Sequence, residues 1–246
     1  MRLDGARALI TGASSGIGAA TAVRLADRGA VPLLVGRDKQ ALDVLAASTN
    51  GEAHAEDLAT EGAAARIAEW AGRVDLLVCN AGVGWAGELE EMPVSLVGEL
   101  VTVNLTAHLE LARSLLPGMV AAKRGHLVLV SSIAGCLGVA DEAVYAASKA
   151  GMRTFADSVR LATARSGVGV TVVVPGVVDT PFFVRRGKPY DRSRPKPVAA
   201  DDVAGALVEA VLRNRAEVFV PGWLRFPARL QGAAPGLVYR LQRRFG

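Results

Sequence analysis

A glycine-rich turn that joins an apolar strand to a helix is the strongest constraint on the fold. The strand is predicted over residues 6–11, the turn at 12–18 reads GASSGIG, and the helix extends to about Arg28. Glycines let a ligand approach the backbone closely, and the free amides and dipole of a helix N-terminus attract anions. The spacing G-x-x-x-G-x-G differs from the more familiar G-x-G-x-x-G, but the context predicts a pyrophosphate cradle.

Apolar strands and amphipathic helices alternate through the rest of the chain. Further strands are predicted over 31–36, 52–55, 74–79, 125–132, 168–174 and 218–220, and helices over 39–48, 60–71, 93–100, 101–122, 143–167 and 201–212. Apolar, β-branched strands separated by helices indicate a parallel sheet that is covered on both faces. We therefore predict an α/β fold with a single Rossmann-type, doubly wound parallel sheet over residues 1–222, followed by a basic amphipathic extension, 223–246.

Composition excludes several classes of protein. Of 246 residues, 51% are hydrophobic and 21% are charged, which is typical of a globular protein rather than a disordered one. No apolar run reaches the ~18 residues of a membrane span. The first residues show no apolar signal core, and the two cysteines do not suggest a disulfide framework, so we expect a cytoplasmic protein.

The net charge of +4 is unevenly distributed. Residues 1–184 carry 15 basic and 19 acidic side chains, whereas residues 185–197 carry six and one, and residues 213–246 carry seven and one. The basic character therefore lies in one loop and the C-terminal tail. A nucleic-acid-binding protein has a distributed basic face instead, so we predict no nucleic-acid partner.

Tyr145 and Lys149 are four residues apart on the helix predicted over 143–167, so they project from one face. An ammonium beside a phenol, near the positive end of a helix, favours the phenolate and predicts a lowered tyrosine pKa. Such a phenol can act as an acid or base at neutral pH. Ser132 ends a strand thirteen residues earlier, and the connecting loop can return its hydroxyl to the phenol. The alternative is an ordinary surface Tyr/Lys pair.

The second strand is followed by Arg37 and Asp38. A carboxylate at this place accepts from a ribose 2′-hydroxyl and favours NAD, whereas an arginine accommodates a 2′-phosphate and favours NADP. Because Arg37 comes first, we predict NADP, with NAD as the less favoured cofactor. The alternative is that Arg37 only faces solvent.

Taken together, these motifs resemble the classical short-chain dehydrogenase/reductase family over roughly residues 5–222. The matching residues are the TGASSGIG run at 11–18, Asp57-Leu58, Asn80-Ala81-Gly82, Asn104, Ser132, Tyr145, Lys149 and Pro175-Gly176. Cys79 departs from the pattern, since the family often has a second asparagine there.

The resemblance implies four catalytic residues. Tyr145 would be the general acid in carbonyl reduction and the base in the reverse direction. Ser132 would hold the substrate oxygen, and Lys149 would bind the nicotinamide ribose and lower the pKa of Tyr145. Asn104 would hold a water that passes protons to Lys149.

The resemblance also implies a cofactor-binding set in which Tyr145 and Lys149 take part. The pyrophosphate would lie on Gly12, Gly16, Ile17 and Gly18, the adenine on Asp57 and Leu58, the ribose above Asn80, Ala81 and Gly82, and the nicotinamide on Pro175, Gly176 and Thr180. Ser14, Ser15, Arg37 and Val178 complete the set.

Other reactive side chains receive ordinary roles. His54, His108 and His126 lack the spacing of metal ligands, so we predict packing or surface roles and no metal site. Cys136 has no histidine placed to activate it. Trp85, which follows the Asn80-Ala81-Gly82 turn, either borders the substrate cleft or does not, and the pattern leaves both open.

The basic loop, residues 181–197, occupies the position of a mobile substrate lid in this family. Its aromatic residues suit an apolar substrate and its cations suit an anionic group or an acidic carrier protein, while the alternative is a solvated loop. In the tail, Leu237, Leu241 and Phe245 are four residues apart with arginines around them. This is typical of a basic amphipathic helix, and docking on its own fold or on another subunit is favoured over an anionic membrane.

The predicted function is NADP(H)-dependent interconversion of a ketone or aldehyde and an alcohol. Alternatives are a 3-ketoacyl-thioester reductase, a lipid carbonyl reductase and a non-enzymatic NADP-binding sensor. The pattern does not identify the small-molecule substrate. The family commonly assembles through helices that match 101–122 and 143–167, so we expect a homodimer or homotetramer.

Overall fold

The computed structural model describes the backbone of residues 1–245 and all of their side chains except those of residues 242, 244 and 245. The strands are β1 (Arg7–Thr11), β2 (Val31–Gly36), β3 (Glu52–Ala55), β4 (Leu76–Cys79), β5 (Gly125–Val130), β6 (Val168–Pro175), β7 (Val178–Asp179), β8 (Val198–Ala199) and β9 (Glu217–Val220). The helices are α1 (Gly16–Ala26), α2 (Lys39–Thr49), α3 (Ala63–Ala71), α4 (Val94–Val101), α5 (Ala107–Ala121), α6 (Ala143–Ala162), α7 (Phe182–Arg185), α8 (Ala200–Leu212), α9 (Arg225–Ala233) and α10 (Pro235–Phe245).

Seven strands form one parallel sheet in the order β3-β2-β1-β4-β5-β6-β9. Side chains alternate across it: Ile10 packs with α1, α2 and α8, whereas Leu9 packs with α3, α5 and α6. In register, Leu9 lies beside Leu33 on one side and Leu77 on the other. The fully apolar strands are thus explained by burial on both faces, and the predicted doubly wound sheet is confirmed.

Parallel register brings the functional turns together. The carboxyl ends of β1, β4, β5 and β6 meet at one edge of the sheet, and each is followed by a loop that carries predicted site residues. The chain winds outward in opposite directions from β1 and β4, which is the point at which open α/β sheets form a ligand crevice.

Several predicted boundaries are wrong for local reasons. The helix predicted from residue 60 begins at Ala63, because Gly62 takes the left-handed conformation (φ 73°). The helix predicted to 167 ends at Ala162, where the chain turns through Gly167 (φ 77°), whose missing Cβ would strike the Lys123 carbonyl. The helices predicted over 93–100 and 101–122 are joined by a short π-helical turn, Thr102–Thr106.

The tail forms α9 and α10, which pack against each other. Leu224 and Val238 are buried, but most of the apolar side chains are exposed, including Phe226 (63%) and Leu237 (47%). The expectation that the tail docks on its own fold is therefore wrong for these residues. The Phe245 side chain, part of the predicted apolar face, lies outside the described residues, as does Gly246.

Candidate active site

The glycine-rich turn has three positions at which any Cβ atom would clash, so only glycine fits there. Gly12 and Gly16 have φ values of 67° and 56°. A Cβ on Gly12 would lie 2.8 Å from the Ala81 Cα, and one on Gly16 would lie 2.9 Å from the Thr180 Cγ2. A Cβ on Gly18 would strike the Gly12 carbonyl oxygen. Each glycine is therefore needed for close approach between three loops.

The start of α1 fits an anion. Its N-cap residue, Ser15, makes no side-chain hydrogen bond to the helix, so the first amides have no capping acceptor. The helix dipole adds positive potential at the same place. The residues present thus fit a dinucleotide pyrophosphate, as the sequence predicts.

Thr11 fastens this turn to the loop after β4. Its Oγ1 accepts hydrogen bonds from the Asn80 and Ala81 amides at 2.9 and 3.0 Å, and the Asn80 Nδ2 donates to the Thr11 carbonyl at 2.9 Å. Three hydrogen bonds between neighbouring strand ends keep the Asn80-Ala81-Gly82 turn against the glycine loop. The predicted floor of the cofactor site is thereby assembled from two distant segments.

The residues predicted to bind the adenosine end lie at the ends of β2 and β3. Arg37 is 58% exposed in its side chain, and its Nη1 lies 4.0 Å from the Asp57 Oδ2. Asp38 instead caps α2, since its Oδ1 accepts from the Ala41 amide at 3.0 Å. Asp38 is thus already committed to the helix, whereas the Arg37 guanidinium is accessible. Leu58 is buried next to them.

Tyr145, Lys149 and Ser132 converge behind these loops. Tyr145 is 9% exposed and Lys149 is 3% exposed. The Lys149 Nζ lies 5.8 Å from the centroid of the Tyr145 ring and donates to the Val130 carbonyl at 3.0 Å. The Ser132 side chain lies close enough to the Tyr145 hydroxyl to favour the phenolate by hydrogen bonding. The predicted convergence is found, and the surface-pair alternative is excluded by burial.

The predicted lowering of the Tyr145 pKa is wrong. Burial raises the pKa of Tyr145 to about 12, although the hydrogen bond with Ser132 opposes this change. Burial also lowers the pKa of Lys149 to about 8. The ammonium donates to the Val130 carbonyl, and for each side chain the loss of solvation of its charged form is the main cause of the change in pKa. The site therefore holds a protonated phenol.

Asn104 occupies the π-helical turn and is fully buried. Its Oδ1 accepts from the Val83 amide at 2.8 Å, and its Nδ2 donates to the Val83 carbonyl at 2.9 Å and to the Ser148 Oγ at 3.2 Å. A Cβ on Gly82 would lie 3.3 Å from the Asn104 Oδ1 and 3.4 Å from the Lys149 Nζ. Asn104 and Lys149 therefore flank the same glycine, and the proton relay between them stays a prediction.

His108 connects the two halves of the site, a role that the sequence reasoning missed. It is fully buried, and burial lowers its pKa to about 3, so the imidazole is neutral. Its Nδ1 lies 3.3 Å from the Asn104 carbonyl, which can only accept, so Nδ1 carries the proton. Its Nε2 lies 3.0 Å from the Thr11 Oγ1 and accepts from that hydroxyl. The signal was the four-residue spacing from Asn104.

The loop after β6 covers the site from the other side. Gly176 donates its amide to the Val220 carbonyl at 2.8 Å, and Pro175 ends the strand. Val178 is buried and pairs with Val198 in the small β7–β8 sheet, which the sequence did not predict. This sheet places the Thr180 methyl group against Gly16, where a Cβ would lie 2.9 Å from the Thr180 Cγ2.

The lid, residues 181–197, closes over the phenol. The ring centroids of Phe182 and Tyr145 are 5.4 Å apart. Arg186 forms an ion pair with Glu142, both largely buried, and Lys188 pairs with Asp141 at 3.0 Å. These contacts join the lid to the segment that precedes α6, so the description as a merely solvated loop is wrong for residues 182–188.

Arg185 extends from the lid in the opposite direction. Its Nη1 donates to the Ser15 Oγ at 3.1 Å, on the glycine-rich turn. The lid therefore touches both the glycine-rich turn and Tyr145. No local sequence signal marks this contact, because the two residues are 170 positions apart.

A cavity of about 310 Å³ borders Tyr145. Trp85, Met92 and Leu100 supply apolar walls, and the rim carries Glu88 and Glu142. Trp85 therefore borders this cavity, and its place at the substrate cleft stays a prediction. A cavity of this size can admit a small organic molecule next to the phenol.

Comparisons with known proteins find a matching family model, similar sequences and similar solved structures. Residues 6–191 match the model of the short chain dehydrogenase family. The chain is 35% identical, over 94% of each sequence, to an uncharacterized oxidoreductase of Myxococcus xanthus (strain DK1622). It is 31% identical to a short-chain dehydrogenase from Sphingobium yanoikuyae in complex with NADPH, covering 95% of each chain with a TM-score of 0.85.

A second solved structure differs in its cofactor. A short-chain dehydrogenase/reductase from Burkholderia phymatum, in complex with NAD, is 25% identical over 96% of each chain with a TM-score of 0.85. Similar folds thus accept either dinucleotide. The matched family model and the relative of near-equal length lead to one conclusion: the chain belongs to the short-chain dehydrogenase/reductase family of oxidoreductases.

Proposed function

We propose that the chain is an NADP(H)-dependent oxidoreductase that interconverts a ketone or aldehyde and an alcohol, with Tyr145 as the general acid/base. The observation that carries this proposal is a buried, protonated phenol on the wall of a cavity, with Ser132 close to its hydroxyl and the Lys149 Nζ 5.8 Å from its ring centroid. A phenol held protonated by its dry surroundings is the form that carbonyl reduction needs.

The chain's own residues account for the movement of the proton. NADPH, when bound, supplies the hydride. Ser132 donates a hydrogen bond to the substrate oxygen, and Tyr145 gives that oxygen its proton as negative charge develops there. Lys149 stabilises the resulting phenolate, and a water held by Asn104 returns a proton through Lys149.

The cofactor preference rests on the second strand. Arg37 is accessible to a 2′-phosphate, whereas Asp38 is occupied as the cap of α2 and is poorly available to a 2′-hydroxyl. The pyrophosphate would lie on the glycine-rich turn, with Arg185 of the lid added to the predicted contacts because it already reaches Ser15. NADP is favoured on these grounds.

A panel of carbonyl compounds tests the proposal, with NADPH oxidation followed by absorbance. It should span small ketones, aldehydes, 3-ketoacyl thioesters and long-chain lipid carbonyls. Tyr145→Phe should lower kcat by several orders of magnitude while NADPH still binds, because the ring is kept and the proton is lost. Tyr239→Phe, an exposed tyrosine on α10, is the matched control and should match the wild type.

Two results would contradict the proposal. Substantial turnover by Tyr145→Phe would remove the tyrosine from the mechanism. NADPH binding without turnover of any carbonyl would favour the non-enzymatic sensor. Selective turnover of a thioester or a lipid carbonyl would keep the chemistry and narrow the substrate.

A further inference from the structure

The tail displays an apolar surface that the rest of the described chain does not cover. Trp223, Phe226 and Leu230 are three and four residues apart and lie on one face of the helical segment that continues into α9. Their exposed fractions are 51%, 63% and 37%. On α10, Leu237 and Leu241 are four apart and also exposed. Large apolar side chains that are exposed together on a helix face mark an interaction site.

The same segment is surrounded by unpaired positive charge. Its exposed arginines are Arg225, Arg229, Arg240 and Arg243, and none forms an ion pair among the described residues. Arg225 contacts only the ring of Phe226 among described aromatic groups, 5.1 Å from its centroid. Residues 218–246 contain no aspartate or glutamate. An occupant of this surface must therefore supply both apolar contact and negative charge.

An anionic lipid surface supplies both. Helices that lie in a membrane interface combine Trp, Phe and Leu on one side with arginines at the headgroups, and tryptophan and tyrosine prefer this depth. No helix in the described part of the chain is long and apolar enough to cross a bilayer, so the tail would lie on the surface. A symmetric contact between the tails of two copies would instead bring the arginines of both together, because residues 218–246 contain no aspartate or glutamate.

We propose that the α9–α10 tail docks on the surface of an anionic membrane, with its apolar face among the acyl chains and its arginines at the lipid phosphates. The tail leaves the fold beside the catalytic edge, since a Cβ on Gly176 would lie 2.8 Å from the Leu224 Cδ1. Docking therefore brings the loop after β6 close to the lipid. This inference does not depend on the proposed reaction.

Co-sedimentation of the full chain with vesicles tests the proposal. The protein should bind vesicles of phosphatidylcholine mixed with phosphatidylglycerol, and should bind pure phosphatidylcholine weakly. High salt should release it, because counterions screen the arginines. Arg225→Gln/Arg229→Gln should weaken binding about thirtyfold, and Phe226→Ser about tenfold to a hundredfold.

Matched controls separate the tail from general charge and exposure. Arg192→Gln/Arg194→Gln removes the same charge from the lid, and Val44→Ser removes an exposed apolar residue from α2. Both controls should bind like the wild type. All changed residues are exposed, and thermal melts should show that every variant is folded.

The contrary outcomes are distinct. Absence of binding to anionic vesicles at low salt would overturn the proposal, as would equal losses in the control variants. Sedimentation velocity distinguishes the other occupant: if Phe226→Ser dissociates an oligomer and no vesicle binding is seen, the tail is a subunit contact and the membrane proposal is wrong.

Discussion

Replacing the buried Lys149 by methionine should stabilise the free protein at neutral pH, although it removes a residue assigned to catalysis. Burial lowers the Lys149 pKa from 10.5 to about 8, so the fold holds an ammonium against a solvation cost. Methionine has a similar length and no charge. The substitution also removes the hydrogen bond from Lys149 to the Val130 carbonyl. The free energy lost with this bond does not depend on pH while the lysine is charged.

The magnitude follows from proton linkage. A pKa difference of about 2.5 units corresponds to about 3 kcal/mol of free energy of unfolding. Between pH 8 and 10.5 the unfolded chain binds more protons at Lys149 than the folded chain, so the wild type gains stability as pH rises through this window. The advantage of Lys149→Met should therefore be largest below pH 8 and should fall by about 2 to 3 kcal/mol between pH 7 and pH 10.

Urea unfolding of both proteins across this pH range measures the difference. In the difference between the two free energies of unfolding, the contributions of other titrating groups, including Tyr145, cancel. Lys39→Met, which replaces an exposed lysine paired with Asp43, is the control for the same substitution away from the site. A pH-independent difference for Lys149→Met would refute a lowered lysine pKa and, with it, the dry surroundings of Tyr145 and Lys149.

Two further predictions concern the cofactor. Arg37→Ala should weaken NADPH binding about tenfold to a hundredfold and leave NADH nearly unchanged, because only NADPH carries the 2′-phosphate; titration of both cofactors by fluorescence measures this, and equal losses would assign the choice to Asp38. Arg185→Ala should weaken both cofactors about equally, because both carry the pyrophosphate, while Arg192→Ala in the same lid should change neither affinity; an unchanged affinity in Arg185→Ala would remove Arg185 from the site.

The fold and the convergence of the site could be predicted from sequence because both follow from periodicity. Apolar strands alternating with helices require a covered parallel sheet, and a parallel sheet places all its carboxyl ends at one edge. Gly12, Asn80 and Ser132 each follow a strand and therefore lie at that edge. Tyr145 comes thirteen residues after Ser132, which is enough chain to return to the same edge.

The remaining features depend on distant contacts that no local pattern carries. The direction of the Tyr145 pKa is set by burial under Phe182, and the spacing of Tyr145 and Lys149 says nothing of that burial. The sequence left open whether residues 181–197 form a mobile lid or a solvated loop. The contact of Arg185 with Ser15 spans 170 positions, so no local pattern predicts it. His108 resembled a packing residue, since its partner Thr11 lies on β1, 97 positions earlier in the chain.

Positive charge serves different purposes in the two segments where the sequence concentrates it. In the lid, Arg185, Arg186 and Lys188 are bound within the chain and hold residues 182–188 over Tyr145, so they are poorly available to an acidic carrier protein. In the tail, the described arginines have no such partners and stand beside exposed aromatic and leucine side chains. Attraction at a distance depends on charge that is not already neutralised. The tail therefore has both the free charge and the apolar surface that a lipid partner requires. Arg185, Arg186 and Lys188 instead attach the lid to the rest of the chain.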